Sequence, residues 1–205
     1  SELISKIKAA KPDMIALTGD IVDEDHDSIS SVEDLLKGIK DLAPIYFVTG
    51  NHELTSLAAT QYQELLALFQ KYGVTDLDND SVKLKKGGQS ITLYGRQYFS
   101  QYLTDSLPIA SDKDFDILLY HGSDNFKEIA PYHYDLILSG HAHGGIVRLP
   151  IWGGIFGNDG TFFPEYAGGE YTIGDATLIS SRGLGDASIP RFNNPPELVV
   201  IKLNP

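Results

Sequence analysis

Short apolar runs, separated by polar segments, predict the β-strands of this chain. Each run is rich in Val, Ile and Leu with few polar interruptions, a pattern typical of strands that are covered on both faces. The predicted strands cover residues 13–19, 44–49, 91–95, 116–122, 135–140, 176–181 and 197–203.

Helical patterns alternate with these runs at residues 1–10, 31–42, 60–72 and 123–130. The second helix opens with Ser31-x-x-Asp34 and the third with Thr60-x-x-Gln63, and both spacings resemble a capping box. Gly73 is well placed to end the third helix, because glycine adopts the left-handed backbone that closes many helices.

The pattern changes after residue 146, where glycines and aromatic residues dominate. This part predicts hairpins and loops, with Asn-Asp-Gly at 158–160 as a turn signal. Alternating β and α elements followed by mostly β structure predict one α/β domain over residues 1–205.

Composition limits the partners of the chain. A length of 205 residues with 42% hydrophobic residues suits one domain. The net charge of −12 disfavours binding along a nucleic-acid backbone or an anionic membrane surface, and it suits a site that gathers divalent cations. The absence of cysteine excludes disulfides and thiolate metal ligands. Localisation and oligomeric state stay open.

Side chains that can bind metal follow four of the predicted buried strands, usually beside a glycine. One such pair of histidines has a simpler interpretation, in which the imidazoles only cap a strand end. Four strands ending in this way favour a shared site, because ligands bind at the carboxyl ends of strands in α/β sheets. Nitrogen and oxygen donors without sulfur suit Mn²⁺, Fe, Zn²⁺ or Co²⁺. The candidates are Asp20, Asn51, His52, His121, His141 and His143.

These residues lie in motifs that resemble the ordered signature of the calcineurin-like metallophosphoesterases. The motifs are GDIVD (19–23), GNHE (50–53), the histidine of YHG (120–122) and GHAH (140–143). The tail, with SRGLG and IPRFNNPPEL, resembles a bacterial branch of membrane-associated or exported phosphoesterases. The resemblance implies an α/β fold with a four-layer αββα sandwich around two mixed β-sheets. It leaves membrane association of the parent protein open.

The resemblance also implies a role for each candidate residue. Asp20 would bridge two divalent metal ions, and Mn, Fe or Zn are the expected metals. Asn51, His121 and His141 would complete the second metal site, and His143 would bind the first metal. His52 would be catalytic and not a ligand, facing the scissile phosphate.

A metal-bound hydroxide would then hydrolyse a phosphomonoester, phosphodiester or pyrophosphate substrate. The alternative is a weakly active or silent binding or scaffold protein on the same fold, since fold alone does not fix activity.

One motif of the family is absent. Members carry Asp-x-His at the end of their first strand, but no Asp-x-His precedes Asp20, and DEDHD (23–27) follows it. We therefore expect an N-terminally truncated chain that lacks the first strand. Its first metal site keeps only Asp20 and His143, so it binds at most one metal well.

Several further residues have two interpretations. Asp23 is expected to be a carboxylate of the loop or one that supports a ligand, and not a ligand itself. Glu53 is expected to order either the loop or a neighbouring imidazole. His26 lies at the surface or contacts substrate, and His133 is expected in a surface turn. Arg182 and Arg191 either contact phosphate or tie down the tail. Aromatic side chains after residue 150 either wall a substrate pocket or pack in the core; they are Trp152, Phe156, Phe162, Phe163 and Tyr166.

Overall fold

A computed structural model describes residues 1–22, 28–98, 103, 107–111, 114–157, 160–185 and 190–204 of the chain. The helices are α1 (Glu2–Ala10), α2 (Ser28–Ile39), α3 (Asn51–Thr55), α4 (Ala59–Tyr72) and α5 (Phe126–Ile129), with 3₁₀ turns on either side of α5. The strands are β1 (Ile15–Leu17), β2 (Ile45–Phe47), β3 (Val74–Asp76), β4 (Ser81–Lys86), β5 (Gln89–Arg96), β6 (Phe115–Gly122), β7 (Leu136–Gly140), β8 (Val147–Leu149), β9 (Gly153–Phe156), β10 (Gly169–Ile173) and β11 (Ala176–Ser180).

The described strands form two main sheets and one separate hairpin. A three-stranded sheet has the order β1-β2-β3, with both pairs parallel. A six-stranded mixed sheet has the order β10-β11-β7-β6-β5-β4, in which the central strands are parallel and both outer pairs are antiparallel. Strands β8 and β9 pair only with each other among the named strands. The chain is therefore an α/β protein, as the alternation in its sequence predicts.

Three clusters of buried side chains join these elements. One packs α1, α2 and α4 against the three-stranded sheet, around Leu36 and Phe47. A second lies between the two sheets and contains Val48 and Leu119. The third covers the other face of the six-stranded sheet, where α5 and its flanking turns pack through Phe126. Apolar contact with both faces explains why β6 and β7 read as unbroken apolar runs.

The predicted helix starts need two corrections. Helix α2 begins at Ser28, so Ser31 and Asp34 lie inside its first turns and form no cap. Helix α4 begins at Ala59, and the side chain that reaches back is that of Gln61, which accepts a hydrogen bond from the Ala58 N–H at 3.0 Å. The predicted end of this helix is confirmed, since Gly73 adopts φ 69°. The predicted helix at 123–130 is one short α-helix between two 3₁₀ turns.

The predicted strand at 197–203 is wrong. This segment has no strand structure, although Leu198 and Ile201 still pack against the apolar clusters. A strand needs a neighbour to complete its ladder of hydrogen bonds. A cleft of about 1970 Å³ separates the segment from β1, which pairs with β2 alone among the described strands. The turn signal at 158–160 lies partly outside the described residues.

Candidate metal centre

The carboxyl ends of four parallel strands bring the predicted ligands together. Asp20 follows β1 and Asn51 follows β2 in the smaller sheet. His121 lies near the end of β6 and His141 directly follows β7 in the larger sheet. Because the strands are parallel within each sheet, their carboxyl ends meet at one edge of the molecule.

The carboxylate of Glu53 holds the two loops of the smaller sheet in register. One of its oxygens accepts hydrogen bonds from the backbone N–H groups of Asp20 (2.9 Å) and Gly50 (2.7 Å). Its other oxygen accepts from Ile21 (2.8 Å) and Val22 (3.3 Å). Glu53 is buried, and burial, with the nearby charge of Asp20, raises the pKa of its carboxyl group. The predicted role of Glu53 in ordering this loop therefore has a definite geometry.

Asp20 is placed by a left-handed turn and a close approach between two loops. Its φ is 50°, and that of Gly19 is 86°. A Cβ atom on Gly19 would lie 2.6 Å from the Gly50 nitrogen, so only glycine fits there. One carboxylate oxygen of Asp20 accepts a hydrogen bond from the His52 N–H at 2.8 Å.

His121 presents one ring nitrogen to the other candidate ligands. Its Nδ1 lies 2.7 Å from the carbonyl oxygen of Thr18, which can only accept a hydrogen bond. In the neutral ring, the proton is therefore on Nδ1 and a lone pair is on Nε2. That Nε2 lies 2.9 Å from Asp20 Oδ2, 3.2 Å from Asn51 Oδ1 and 3.2 Å from His141 Nδ1.

These donor atoms form a set that suits a metal ion. The ligand atoms of Asp20, His121 and His141 lie within 4.8 Å of one another, and the Asn51 oxygen joins them. Two imidazole nitrogens and two oxygens fit the preferences of first-row divalent ions. A carbonyl oxygen that fixes the distal ring nitrogen is the usual support for a histidine ligand.

Asp20 and His121 shift the pKa of each other. Burial alone would raise the pKa of Asp20, but the hydrogen bond and charge of His121 outweigh it and lower the pKa. Burial likewise opposes protonation of His121, whereas its hydrogen bond with Asp20 and the charge of that residue raise its pKa. A divalent cation bound here would replace the proton that Asp20 favours on His121.

His143 stands apart from this group. It is not one of the three residues whose ligand atoms converge, and its Nδ1 lies 3.3 Å from a guanidinium nitrogen of Arg191. Burial and the Arg191 charge lower the pKa of His143 to about 4. The amide of Asn194 donates to its carbonyl oxygen at 2.6 Å, which fixes the loop.

His52 lies at the rim of the cluster. Its Nε2 is 3.8 Å from Asp20 Oδ2, and its Nδ1 is 3.2 Å from the Ser56 hydroxyl. The ring is partly exposed, so it can meet a molecule that enters the site from solvent.

Tyr98 is a site residue that the sequence analysis missed. Its ring centroid lies 5.3 Å from that of His121 and 5.3 Å from that of His141, so it packs against both imidazoles. Burial raises the pKa of its phenol to about 12. No motif marks Tyr98. Its only sequence signal is its position just after a predicted strand.

Contacts and exposure distinguish between the interpretations of the remaining candidate residues. Arg182 forms an ion pair with Glu197 at 3.1 Å, and Arg191 donates to the carbonyl oxygen of Arg182 at 2.7 Å, so both arginines tie down the tail. Tyr166 is buried in the core, whereas most of the other aromatic candidates are exposed. His133 is exposed in a turn, as predicted. Asp23 and His26 lie outside the described residues.

Comparisons with known proteins identify the family of the chain. The family described as calcineurin-like phosphoesterase matches residues 1–145. The uncharacterized metallophosphoesterase YkuE of Bacillus subtilis is 30% identical over 98% of this chain and 71% of its own length. The phosphodiesterase YaeI of Escherichia coli is 27% identical over 94% of this chain and 71% of its own length. The chain therefore belongs to the calcineurin-like phosphoesterase family.

Solved structures show the same fold at lower identity. The sulfate thiohydrolase SoxB of Thermus thermophilus superimposes with a TM-score of 0.53 at 17% identity, over 87% of this chain and 36% of that chain. A Staphylococcus aureus protein described as "Putative 5'-Nucleotidase" gives a TM-score of 0.52 at 12% identity, over 83% of this chain and 40% of that chain. Within the described residues, no helix is both long and apolar enough to cross a bilayer.

Replacing Glu53 with glutamine should destabilise both loops at once. One oxygen becomes an NH₂ group that faces two backbone N–H donors, so we expect the free energy of unfolding to fall by about 1–3 kcal/mol. Urea unfolding measures the change. Glu165→Gln is the matched control, because its ion pair with Lys127 is exposed and screened by solvent. Equal unfolding midpoints for the two variants would contradict this role.

The metal-free protein should lose stability in acid through His143. Its pKa is about 4 in the folded chain and near 6.5 when unfolded, so the unfolded chain binds the proton first. Stability that is present above pH 6.5 is lost as the pH falls towards 4, by about 3 kcal/mol at most. Urea titrations in chelator should show a shallower loss in His143→Gln than in the native chain. Parallel curves for the two proteins would refute the assignment.

Proposed function

We propose that this chain is a metal-dependent phosphohydrolase that acts on phosphomonoesters, phosphodiesters or pyrophosphates. The observation that carries the proposal is the convergence of Asp20, Asn51 and His141 on the Nε2 of His121. Family membership and the phosphodiesterase among the relatives support the same reaction class.

In this proposal one divalent ion would be held by Asp20, Asn51, His121 and His141. Asp20 would also face a neighbouring metal position, for which His143 is the candidate ligand. The bound ion supplies positive charge, which polarises phosphoryl oxygens and acidifies a coordinated water. Manganese, iron and zinc all suit these nitrogen and oxygen donors.

Protein side chains position the groups that take part in the reaction. Glu53 accepts a hydrogen bond from the backbone N–H of Asp20, and the backbone N–H of His52 donates to the Asp20 carboxylate. These two bonds fix the position of that carboxylate. The partly exposed ring of His52 faces the entrance, where it donates a proton to the leaving oxygen of the ester. A histidine in this role typically contributes a factor of 10²–10⁴ to the rate.

We also propose that an additional strand completes the smaller sheet. The cleft beside β1 is lined by the apolar side chains of Met14, Ala16 and Ile201, which a strand there would cover. Asp20 and His143 line the same cleft, so the last residues of such a strand would be able to reach the centre. A strand ending in Asp-x-His would supply the ligands that the first metal site lacks. With it, the three apolar clusters correspond to a four-layer αββα sandwich.

Substitutions should separate the catalytic residue from the ligands. We expect His52→Ala to lower turnover of p-nitrophenyl phosphate or its bis-ester about 10²-fold or more while metal content stays near the native value. His141→Ala should lower metal content and turnover together. His133→Gln is the control, because this exposed histidine lies in a turn. Loss of metal in His52→Ala would disprove its role as a non-ligand.

Adding an upstream strand should raise metal content and activity. We expect residues 1–205 alone to bind at most one Mn²⁺ tightly, and the same chain extended by a strand with Asp-x-His to bind two. Metal per chain and phosphodiester hydrolysis are compared for both proteins, with Ala-x-Ala in the added strand as control. Two tight ions in the short form would refute the proposed strand. Tight metal without hydrolysis in the extended form would favour the scaffold alternative.

A further inference from the structure

The contact with Arg191 determines which ring nitrogen of His143 carries the proton. A guanidinium nitrogen of Arg191 lies 3.3 Å from His143 Nδ1. Because a guanidinium can only donate hydrogen bonds, this Nδ1 accepts through its lone pair, and the proton of the neutral ring is on Nε2. In His121 the carbonyl oxygen of Thr18 has the opposite effect, since it places the proton on Nδ1 and leaves the lone pair of Nε2 to the candidate ligands.

Backbone carbonyl groups hold the Arg191 guanidinium in this position. One of its nitrogens donates to the carbonyl oxygen of Arg182 at 2.7 Å, and the nitrogen that contacts His143 also donates to the carbonyl oxygen of Gly185. Arg182 is fixed in turn by Glu197, which accepts from two of its side-chain nitrogens at 3.1 Å each. The guanidinium therefore has anchors that do not depend on His143.

The loop that carries His143 packs tightly against the same part of the tail. The side-chain amide of Asn194 donates to the His143 carbonyl oxygen at 2.6 Å. A Cβ atom on Gly144 would lie 2.5 Å from Asn194 Oδ1 and 2.7 Å from Arg182 Cγ, so only glycine allows this approach. Close packing of this kind favours rotation of a side chain, and not movement of the loop, as the way to separate the His143 ring from Arg191.

A metal ion bound to His143 is incompatible with this contact. A histidine ligand offers a ring lone pair to the metal. An ion on Nδ1 takes the lone pair that accepts from Arg191. An ion on Nε2 moves the ring proton to Nδ1, where it faces an N–H of Arg191. The hydrogen bond is lost in both cases, and the guanidinium also repels a cation at short range.

We propose that Arg191 and a divalent metal ion compete for His143. Arg191 is then a positioning residue of the centre, because it decides whether His143 is available as a ligand, and it leaves the metal position at His121 unaffected. The inference rests on the proposed function, since it requires a metal-binding centre. Removal of Arg191 should tighten binding of an ion at His143 about tenfold, the effect expected from one hydrogen bond to a charged group.

The contact itself is tested without metal. Nitrogen-15 NMR spectra of the imidazole rings, recorded in chelator at neutral pH, distinguish the two tautomers, and His143→Gln assigns the signals. We expect the His143 proton on Nε2 in the native chain and a mixture of tautomers in Arg191→Met. A native chain with the His143 proton on Nδ1 would overturn the inference, whatever the variant does.

The competition is tested by titration of Zn²⁺ into the native chain and two arginine variants. Arg148→Met is the matched control, because Arg148 donates to the Gly144 carbonyl oxygen at 2.6 Å and so holds the same loop without the contact to His143. We expect Arg191→Met to bind a second, weaker ion about tenfold more tightly, with the first ion unchanged, and Arg148→Met to bind as the native chain does. In the double variant Arg191→Met, His143→Gln the gain should disappear.

The direction of the change separates this role from a structural one. A folding defect in Arg191→Met would weaken binding, whereas the competition predicts a gain, and circular dichroism checks the fold of each variant. A second ion that binds Arg191→Met no more tightly than the native chain refutes this inference alone. A native chain that binds no zinc at all refutes the proposed metal centre and this inference together.

Discussion

The hydrogen bonds of one buried carboxylate determine the geometry of the loops that the smaller sheet brings to the centre. Glu53 binds four backbone N–H groups from the loops that follow β1 and β2. Neither loop has regular structure at this point, so without Glu53 these donors would lie unpaired next to the core. Asp20 and the start of α3 are therefore placed by the backbone, before any ligand binds.

The larger sheet supplies the other half of the centre in a different way. His121 is held within β6 and oriented by the Thr18 carbonyl oxygen, which belongs to the smaller sheet. That one hydrogen bond links the two sheets at their carboxyl ends and fixes which ring nitrogen faces the site. Tyr98 packs against the same ring and against His141, so both imidazoles have a rigid wall on one side.

The sequence predicts that these side chains converge, because the strands before them are buried and parallel. Residues that follow such strands must meet at one edge, so Asp20, Asn51, His121 and His141 follow from apolar pattern and spacing. Other features depend on tertiary contacts that the sequence pattern does not contain. The segment 197–203 is as apolar as a strand but has no neighbour for its ladder, and Tyr98 reaches the site through packing alone. His143 lies apart from the other candidate ligands and contacts Arg191, a residue far away in the chain.

Left-handed backbone at the candidate ligands has a consequence for how this protein can evolve. Positive φ values occur at Asp20 (50°), His141 (67°) and His143 (48°). Glycine adopts this left-handed region without steric strain, whereas other residues are strained there. Glycine at any of these positions would relax the local backbone while it removed a side chain from the centre. At these three positions, backbone stability and retention of the donor atoms therefore favour different residues.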